Sequence, residues 1–198
     1  MKMLTDILYW ISTGLMIPVI ILLIVGFVWS ITIIGGFYGS YLARRRLKQT
    51  MADVHQQLEN QSVREVDFTA IAKHHPALHG VLKRIAKLQW NPVHAEKQLV
   101  DFELQGERAL KSSTMLMRLG PMLGLMGTLI PMGPALVGLA SGDIASMAAK
   151  MQVAFATTVI GIFVGGVGFV TLLARKGWFV EDTNQLRYII DLAQHETG

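Results

Sequence analysis

Cysteine is absent from the 198-residue chain. Its absence excludes a disulfide framework and a thiolate metal site, while it leaves the redox compartment open. Aspartate, glutamate, lysine, arginine and histidine are missing from three long apolar runs, residues 11–43, 119–140 and 151–174. The sequence also has no strand pattern, internal repeat or low-complexity tract. Uncharged runs of this length exclude an ordinary soluble globular domain.

Hydrophobic residues make up 52% of the chain, and they are concentrated in these runs. Residues 119–140 and 151–174 number 22 and 24. As helices they would measure roughly 33–36 Å, which matches a hydrocarbon core of about 30 Å. In lipid the backbone must satisfy its own hydrogen bonds, so each run is predicted to be helical. The sequence predicts an all-α integral membrane protein with three transmembrane helices, the last two forming a hairpin, residues 119–174.

The first run, residues 11–43, is predicted to be a transmembrane anchor, preceded by an extracytoplasmic N-terminus, residues 1–10. A cleaved signal peptide is the alternative. It fits poorly, because the apolar part far exceeds the usual ~7–15 residues and no small-residue cleavage site follows it. Aromatic residues near both ends suit the belts of a spanning helix: Tyr9, Trp10, Tyr38 and Tyr41.

Basic residues account for the net charge of +4, and they flank the apolar runs. Arg44, Arg45 and Arg46 follow the first run, Arg118 precedes the second, and Arg175 follows the third. Beside a membrane span, a basic run is a topology signal rather than a nucleic-acid patch. We therefore expect these ends to be cytoplasmic, in the inner cell membrane, with the N-terminus outside and the C-terminus inside.

Residues 44–118 are predicted to be a cytoplasmic helical region, and residues 175–198 a C-terminal helix packed along it. Apolar residues recur there at helical spacing: Leu47, Met51, Val54 and Leu58, then Leu78, Val81, Leu82, Ile85 and Leu88. Pro76 and the pair Asn91-Pro92 are helix-start signals. About seventy residues of helix make too little core for an independent domain. We expect long extensions of the spans instead, packed against one another or against other subunits.

Four histidines raise the question of a metal site: His74, His75, His79 and His94. His75 and His79 are four residues apart, as two ligands on a helix would be. Cysteine and acidic residues are missing between them, and Pro76 interrupts the helix, so a solvated basic surface is the preferred interpretation. A nucleophile elbow, a phosphate loop and a zinc-protease motif are absent. The sequence predicts neither an enzyme nor a bound metal or cofactor.

Glycines are the most informative residues of the hairpin. They recur at Gly120, Gly124 and Gly127 in its first run and at Gly161 and Gly165 in its second. Small residues let helices pack backbone to backbone in lipid. Plain dimer packing explains part of this pattern. Glycines on several faces of both helices favour an oligomeric bundle in which each helix touches more than one neighbour.

Well inside the hairpin runs, away from their ends, the strong polar groups are the hydroxyls of Thr128, Thr157 and Thr158. A membrane threonine ordinarily bonds to its own helix carbonyl. The antiparallel hairpin, however, is expected to place Thr128 and Thr158 near one depth, where several copies would form a polar ring. Proton transfer in a membrane usually needs ionisable side chains. The chain alone is therefore an incomplete ion pathway.

Two segments of the hairpin region carry recognisable motifs. GERALKSSTMLMRLGPMLGLMGTLI is a charged helix that leads into a P-x-x-G-L-x-G-T span, formed by Pro121, Gly124, Leu125, Gly127 and Thr128. AFATTVIGIFVG is similar to the pattern A-L-x-x-T-x-x-G-L. Through these two segments the hairpin resembles the MotA/TolQ/ExbB proton-channel family. Three spans with an outside N-terminus are more similar to the TolQ/ExbB branch than to the four-span flagellar stator.

The resemblance implies a ring, usually a pentamer, around single-span partners of the ExbD/TolR/MotB type. An aspartate on the partner would carry the proton past the threonines, so that ion flow drives work. Val153 stands where a glutamate is common in the family, which leaves open whether H⁺ or Na⁺ is transported. The alternative function is a passive oligomeric membrane scaffold, for which threonines at one depth would have no use.

Overall fold

The computed structural model describes residues 2–63, 66 and 68–196, and it is all-helical. The helices are α1 (Lys2–Gly14), α2 (Met16–Asn60), α3 (Thr69–Ala72), α4 (Pro76–Lys87), α5 (Pro92–Ala140) and α6 (Ile144–His195). Helix accounts for 91% of the structure, and the described ranges contain no strand. Three stretches are long and apolar enough to cross a membrane: Met3–Leu58, Pro92–Ala140 and Ile144–His195. The predicted all-α class with three spans is confirmed.

The first apolar run, predicted to be a transmembrane anchor, contains a helix break. α1 ends at Gly14 and α2 begins at Met16. Proline at position 18 explains the break, because it has no N–H to bond the carbonyl of Gly14 and its ring crowds that carbonyl. Residues 2–14 are therefore a helix of their own.

α1 is amphipathic. At 100° per residue its larger apolar side chains fall on one side of the helix, and these are Met3, Leu4, Ile7, Leu8, Trp10 and Ile11. The opposite side carries Thr5, Asp6, Tyr9, Ser12 and Thr13. An apolar stripe opposite a polar one is typical of a helix that lies in a membrane interface.

The turn of the hairpin is shorter than the segment 141–150 that separates the two apolar runs. α5 ends at Ala140 and α6 begins at Ile144, so only residues 141–143 connect them. Gly142 adopts φ +75°, which glycine reaches without strain. Asp143 then caps α6, since its Oδ1 accepts a hydrogen bond from the amide of Ser146 at 3.0 Å. The cap starts the helix seven residues before the apolar run at 151.

The chain divides into two compact units. The first unit is Met1–Ile34 with Ser112–Leu172, and the second is Gly35–Lys111 with Leu173–Gly198. Within the first unit, α2 packs on the hairpin through a stripe of residues at alternating spacings of three and four. The stripe consists of the buried Val19, Leu23, Ser30 and Ile33 and the partly buried Gly26. Leu23 contacts the cluster around Ile130, and Ile33 that around Leu116 and Val164.

The second unit has a substantial hydrophobic core of its own, which corrects the expectation of too little core. Its buried residues come from α2, α3, α4, α5, α6 and the 61–68 and 88–91 connections: Leu47, Met51, Val54, Leu58, Val63, Val66, Ile71, Leu78, Val81, Leu82, Ile85, Trp90, Ala95, Leu99, Phe102, Leu186, Ile189, Ile190 and Ala193. The C-terminal residues continue α6 without interruption instead of forming a separate helix. Their predicted packing along the other helices of this region is confirmed by Leu186 and Ile189.

Histidines 75 and 79 have structural roles in the second unit. His75 precedes α4, and its Nδ1 accepts a hydrogen bond from the amide of Leu78 at 3.0 Å. Its Nε2 lies 3.2 Å from Oδ2 of Asp182. The Nδ1 of His79 lies 2.9 Å from the carbonyl oxygen of Phe68. Among the described residues no group of three His, Cys, Asp or Glu could hold a metal ion.

Candidate functional site in the transmembrane hairpin

Glycines bring α5 and α6 into backbone contact. A methyl group built on Gly120 would lie 2.7 Å from the carbonyl oxygen of Gly161. One built on Gly124 would lie 3.2 Å from the Cα of Gly161, and one on Gly165 would lie 2.7 Å from the ring of Pro121. The structure therefore brings these predicted packing glycines together within one chain. Because their contacts are within one chain, these glycines do not by themselves indicate contact with a neighbouring subunit.

These contacts define the register of the hairpin. Gly120 lies opposite Gly165 and Gly161, and Gly127 lies opposite Thr157. The register is antiparallel, so Thr128 and Thr158 lie within about 3 Å of one level along the helix axes, at ~1.5 Å per residue.

Thr157 is buried in this interface, with 6% of its surface exposed. A methyl group built on Gly127 would lie 2.5 Å from its Cβ and its Oγ1. The hydroxyl donates to its own helix, at 2.8 Å from the carbonyl oxygen of Ala154 and 3.1 Å from that of Val153. Thr157 therefore fills the space that Gly127 leaves.

Thr128 and Thr158 are only partly buried. The Thr128 hydroxyl lies 2.7 Å from the carbonyl oxygen of Leu125, and that of Thr158 lies 3.2 Å from that of Ala154. Each hydroxyl thus bonds its own helix in the single chain. A hydroxyl that donates a hydrogen bond still has lone pairs that accept one. Both groups can therefore receive a hydrogen bond from water or from a protonated carboxyl of another chain.

A polar contact joins α5 and α6 at the end of the hairpin away from the turn. The Thr171 hydroxyl donates to the Ser113 hydroxyl at 3.2 Å, and both residues are buried. A methyl group on the neighbouring Gly168 would lie 2.8 Å from the carbonyl oxygen of Ser113. This contact was not predicted from the sequence. The small residues at 113 and 168 were its only signal, and they do not show which helix comes close.

Charged groups lie at the turn of the hairpin and not within its apolar runs. The Nζ of Lys150 lies 3.3 Å from the carbonyl oxygen of Pro134, and Asp143 caps α6. The apolar runs therefore offer hydroxyls and backbone carbonyls to a polar ligand, without an ionisable side chain.

The outer faces of the hairpin remain exposed and apolar. Large side chains there are half to two-thirds exposed: Leu125, Leu129, Leu136, Phe155, Val159 and Ile162. Gly133 and Gly166 are on open surface, since a methyl group on either would meet nothing within 4 Å. Lipid or other helices must cover such a surface in the membrane.

Comparison with curated proteins and with solved structures gives no significant match. The model of the MotA/TolQ/ExbB proton channel family matches residues 40–183, which are 144 of the 198 residues. The matched range contains the glycine contacts and the three threonines. Helices of this composition and length make the chain a multi-pass membrane protein. The chain belongs to the MotA/TolQ/ExbB proton channel family.

Proposed function

We propose that this chain is the ion-channel subunit of a membrane complex that converts an ion-motive force into work. The family is associated with proton-channel energy-transducing complexes, and its members work with partners. One observation carries the proposal: the hairpin runs present hydroxyls at one level and contain no ionisable side chain. Because proton relays in membranes use ionisable groups, another chain must supply the carboxylate. A single-span partner of the ExbD/TolR/MotB type is the proposed source.

A homo-oligomeric ring is proposed for the same complex. The glycines at 120, 124, 127, 161 and 165 are used within the hairpin. Contacts between subunits would therefore use the remaining surface, which includes Gly133, Gly166 and the exposed apolar side chains. A pentamer, placed in the inner membrane with the N-terminus outside, is proposed from the family resemblance and the basic flanks.

In this mechanism the partner's carboxyl takes up an ion on one side and passes the level of Thr128 and Thr158. The threonine oxygens would accept a hydrogen bond from the protonated carboxyl or from its water. Their own donor bonds hold the hydroxyls in one orientation. The transported ion is proposed to be H⁺, with Na⁺ as the alternative, and no resident cofactor is required.

The test is ion flux through the complex of this chain with its partner, reconstituted in vesicles. Thr158→Val keeps the shape of the side chain and removes the hydroxyl. We expect flux to be abolished while the complex assembles normally. Thr157→Val is the matched control, because Thr157 is buried against Gly127. It should leave most of the flux. Normal flux in an assembled Thr128→Val/Thr158→Val variant would overturn the mechanism.

A passive oligomeric scaffold is the competing function. The hydrogen bonds of the three threonine hydroxyls favour it, because each hydroxyl already donates to a carbonyl oxygen of its own helix. If those bonds are their whole role, each valine substitution should cost only about 0.6 kcal/mol of stability, and reconstituted vesicles should show no ion flux. Flux in the wild-type complex decides between the two functions.

A further inference from the structure

A cavity of about 320 Å³ lies within the second unit, where three parts of the chain meet. Its lining includes Arg44 of α2, His74 and His75 before α4, and Arg175 and Trp178 of α6. Asp182 is the acidic residue among the side chains that line it. Basic groups therefore outnumber acidic groups around this space.

The carboxylate of Asp182 is already neutralised. Its Oδ1 pairs with the guanidinium of Arg44, and its Oδ2 lies 3.2 Å from the Nε2 of His75. Since the Nδ1 of His75 accepts from the amide of Leu78, the Nε2 carries the hydrogen in the neutral ring and donates it to Asp182. Both partners of Asp182 are thus committed to it.

Positive charge remains after this pairing. Arg175 makes no ion pair with any described residue, and the ring of His74 has no hydrogen-bond partner among them. The first two residues of α4, Pro76 and Ala77, also line the cavity. A helix N-terminus adds a partial positive charge and favours anions. A guanidinium, an imidazole and this helix end therefore face one space.

A neighbouring cavity of about 220 Å³ serves as an internal comparison. It is lined by Arg44 and Lys48 but also by Glu181 and Asp182. Its charges balance, so it offers no net attraction for an anion. The excess of positive charge is therefore specific to the larger cavity.

The lining side chains also place the cavity at a membrane border. Arg44 directly follows the first apolar run, and Arg175 directly follows the third. The ring of Trp178 stacks on Phe37, with ring centroids 5.3 Å apart. Arginine and tryptophan beside a span are typical of the level of lipid headgroups. Basic pockets between helices on this side of a membrane bind anionic headgroups.

We propose that this cavity binds the phosphate group of an anionic ligand, with Arg175 and His74 as its direct partners. The headgroup of an anionic phospholipid is the source that the location favours. A free phosphate has the same recognition chemistry. The Arg44–Asp182–His75 group is the fixed wall that holds α2, α4 and α6 around the ligand.

The test uses the full-length chain in mild detergent and native mass spectrometry of bound lipid. Phosphatidylglycerol should bind more tightly than phosphatidylcholine. Arg175→Gln should weaken phosphatidylglycerol binding about fivefold, the effect of losing one basic contact with an anionic lipid. Lys176→Gln is the matched control. It removes the same charge at the next residue, whose side chain is exposed and lies outside the cavity lining. It should leave phosphatidylglycerol binding unchanged.

Inorganic phosphate in the millimolar range separates the two sources. One outcome is that inorganic phosphate raises the unfolding temperature of the wild type but not of Arg175→Gln, while phosphatidylglycerol and phosphatidylcholine bind equally. The site then holds a soluble phosphate, and the proposal stands. Where Arg175→Gln does not fold, His74→Gln takes its place. Arg175→Lys, which keeps the charge, should retain most of the binding. Equal lipid and phosphate responses in Arg175→Gln and Lys176→Gln would overturn the proposal.

Discussion

Gly120 and Gly161 approach each other so closely that neither position has space for a side chain. A methyl group on Gly120 would lie 2.7 Å from the carbonyl oxygen of Gly161, and one on Gly161 would lie 2.6 Å from the carbonyl oxygen of Gly120. The neighbouring atoms are backbone and cannot rotate away. This reciprocal contact holds the two hairpin helices close together and fixes the register that places Thr128 and Thr158 near one level.

We expect Gly161→Ala to destabilise the hairpin by about 1–3 kcal/mol, the usual cost of forcing an extra group into a packed interface. Titration of the purified chain with SDS in mixed micelles, followed by tryptophan fluorescence, measures this loss. Gly166→Ala is the control, because a methyl group there meets nothing within 4 Å. Equal midpoints for the two variants would show that the helices do not pack as described.

The ion pair between Arg44 and Asp182 should matter more than an exposed pair nearby. Their side chains are 13% and 9% exposed, and the carbonyl oxygen of Trp178 also accepts from Arg44. Asp182→Asn leaves the guanidinium without its nearest charge partner. We expect a loss of roughly 3 kcal/mol, at the low end for a buried pair because Glu181 lies 3.8 Å from Arg44. The same SDS titration measures it.

Lys48 provides the comparison for this pair. It lies 3.9 Å from Glu181, and its side chain is 80% exposed, so Lys48→Met should cost less than about 1 kcal/mol. The double variant Arg44→Met/Asp182→Leu should be more stable than Asp182→Asn, since it leaves no unpaired buried charge. A double variant less stable than Asp182→Asn would contradict this account.

The amphipathic helix α1 should lie along the outer surface of the membrane. Single cysteines can be placed freely in this cysteine-free chain. In intact cells, an impermeant thiol reagent should label cysteines at Ser12 and Thr13 on the polar side of α1, because that side faces water. Cysteines at Leu8 and Ile11, on the apolar side, should be protected by lipid. A cysteine at Gln57, expected in the cytoplasm, should react only after the membrane is opened.

Equal labelling of all four positions in α1 would contradict the interfacial placement. Labelling of Gln57→Cys from outside would reverse the proposed orientation of the whole chain. The two results are independent. The first tests which side of α1 faces water, and the second tests the orientation that the basic residues beside the spans predict.

The sequence alone determined the architecture of the membrane part. An uncharged run of more than twenty residues must form a helix in lipid, because no water is present there to satisfy the backbone. Composition and length therefore predict the spans. The pattern of glycines and threonines was sufficient to indicate the family. The break after Gly14 could also have been predicted, since Pro18 removes the hydrogen bond to its carbonyl.

The partners of these residues were decided only by the tertiary structure. A glycine shows that some backbone can come close, but not which one. Gly120 could have met a neighbouring subunit and instead meets Gly161 of its own chain. Adjacent threonines look alike in sequence, yet packing buries Thr157 and leaves Thr158 partly open. Arg44 and Asp182 are 138 positions apart. Only packing α2 against α6 turns two ordinary surface charges into a largely buried ion pair.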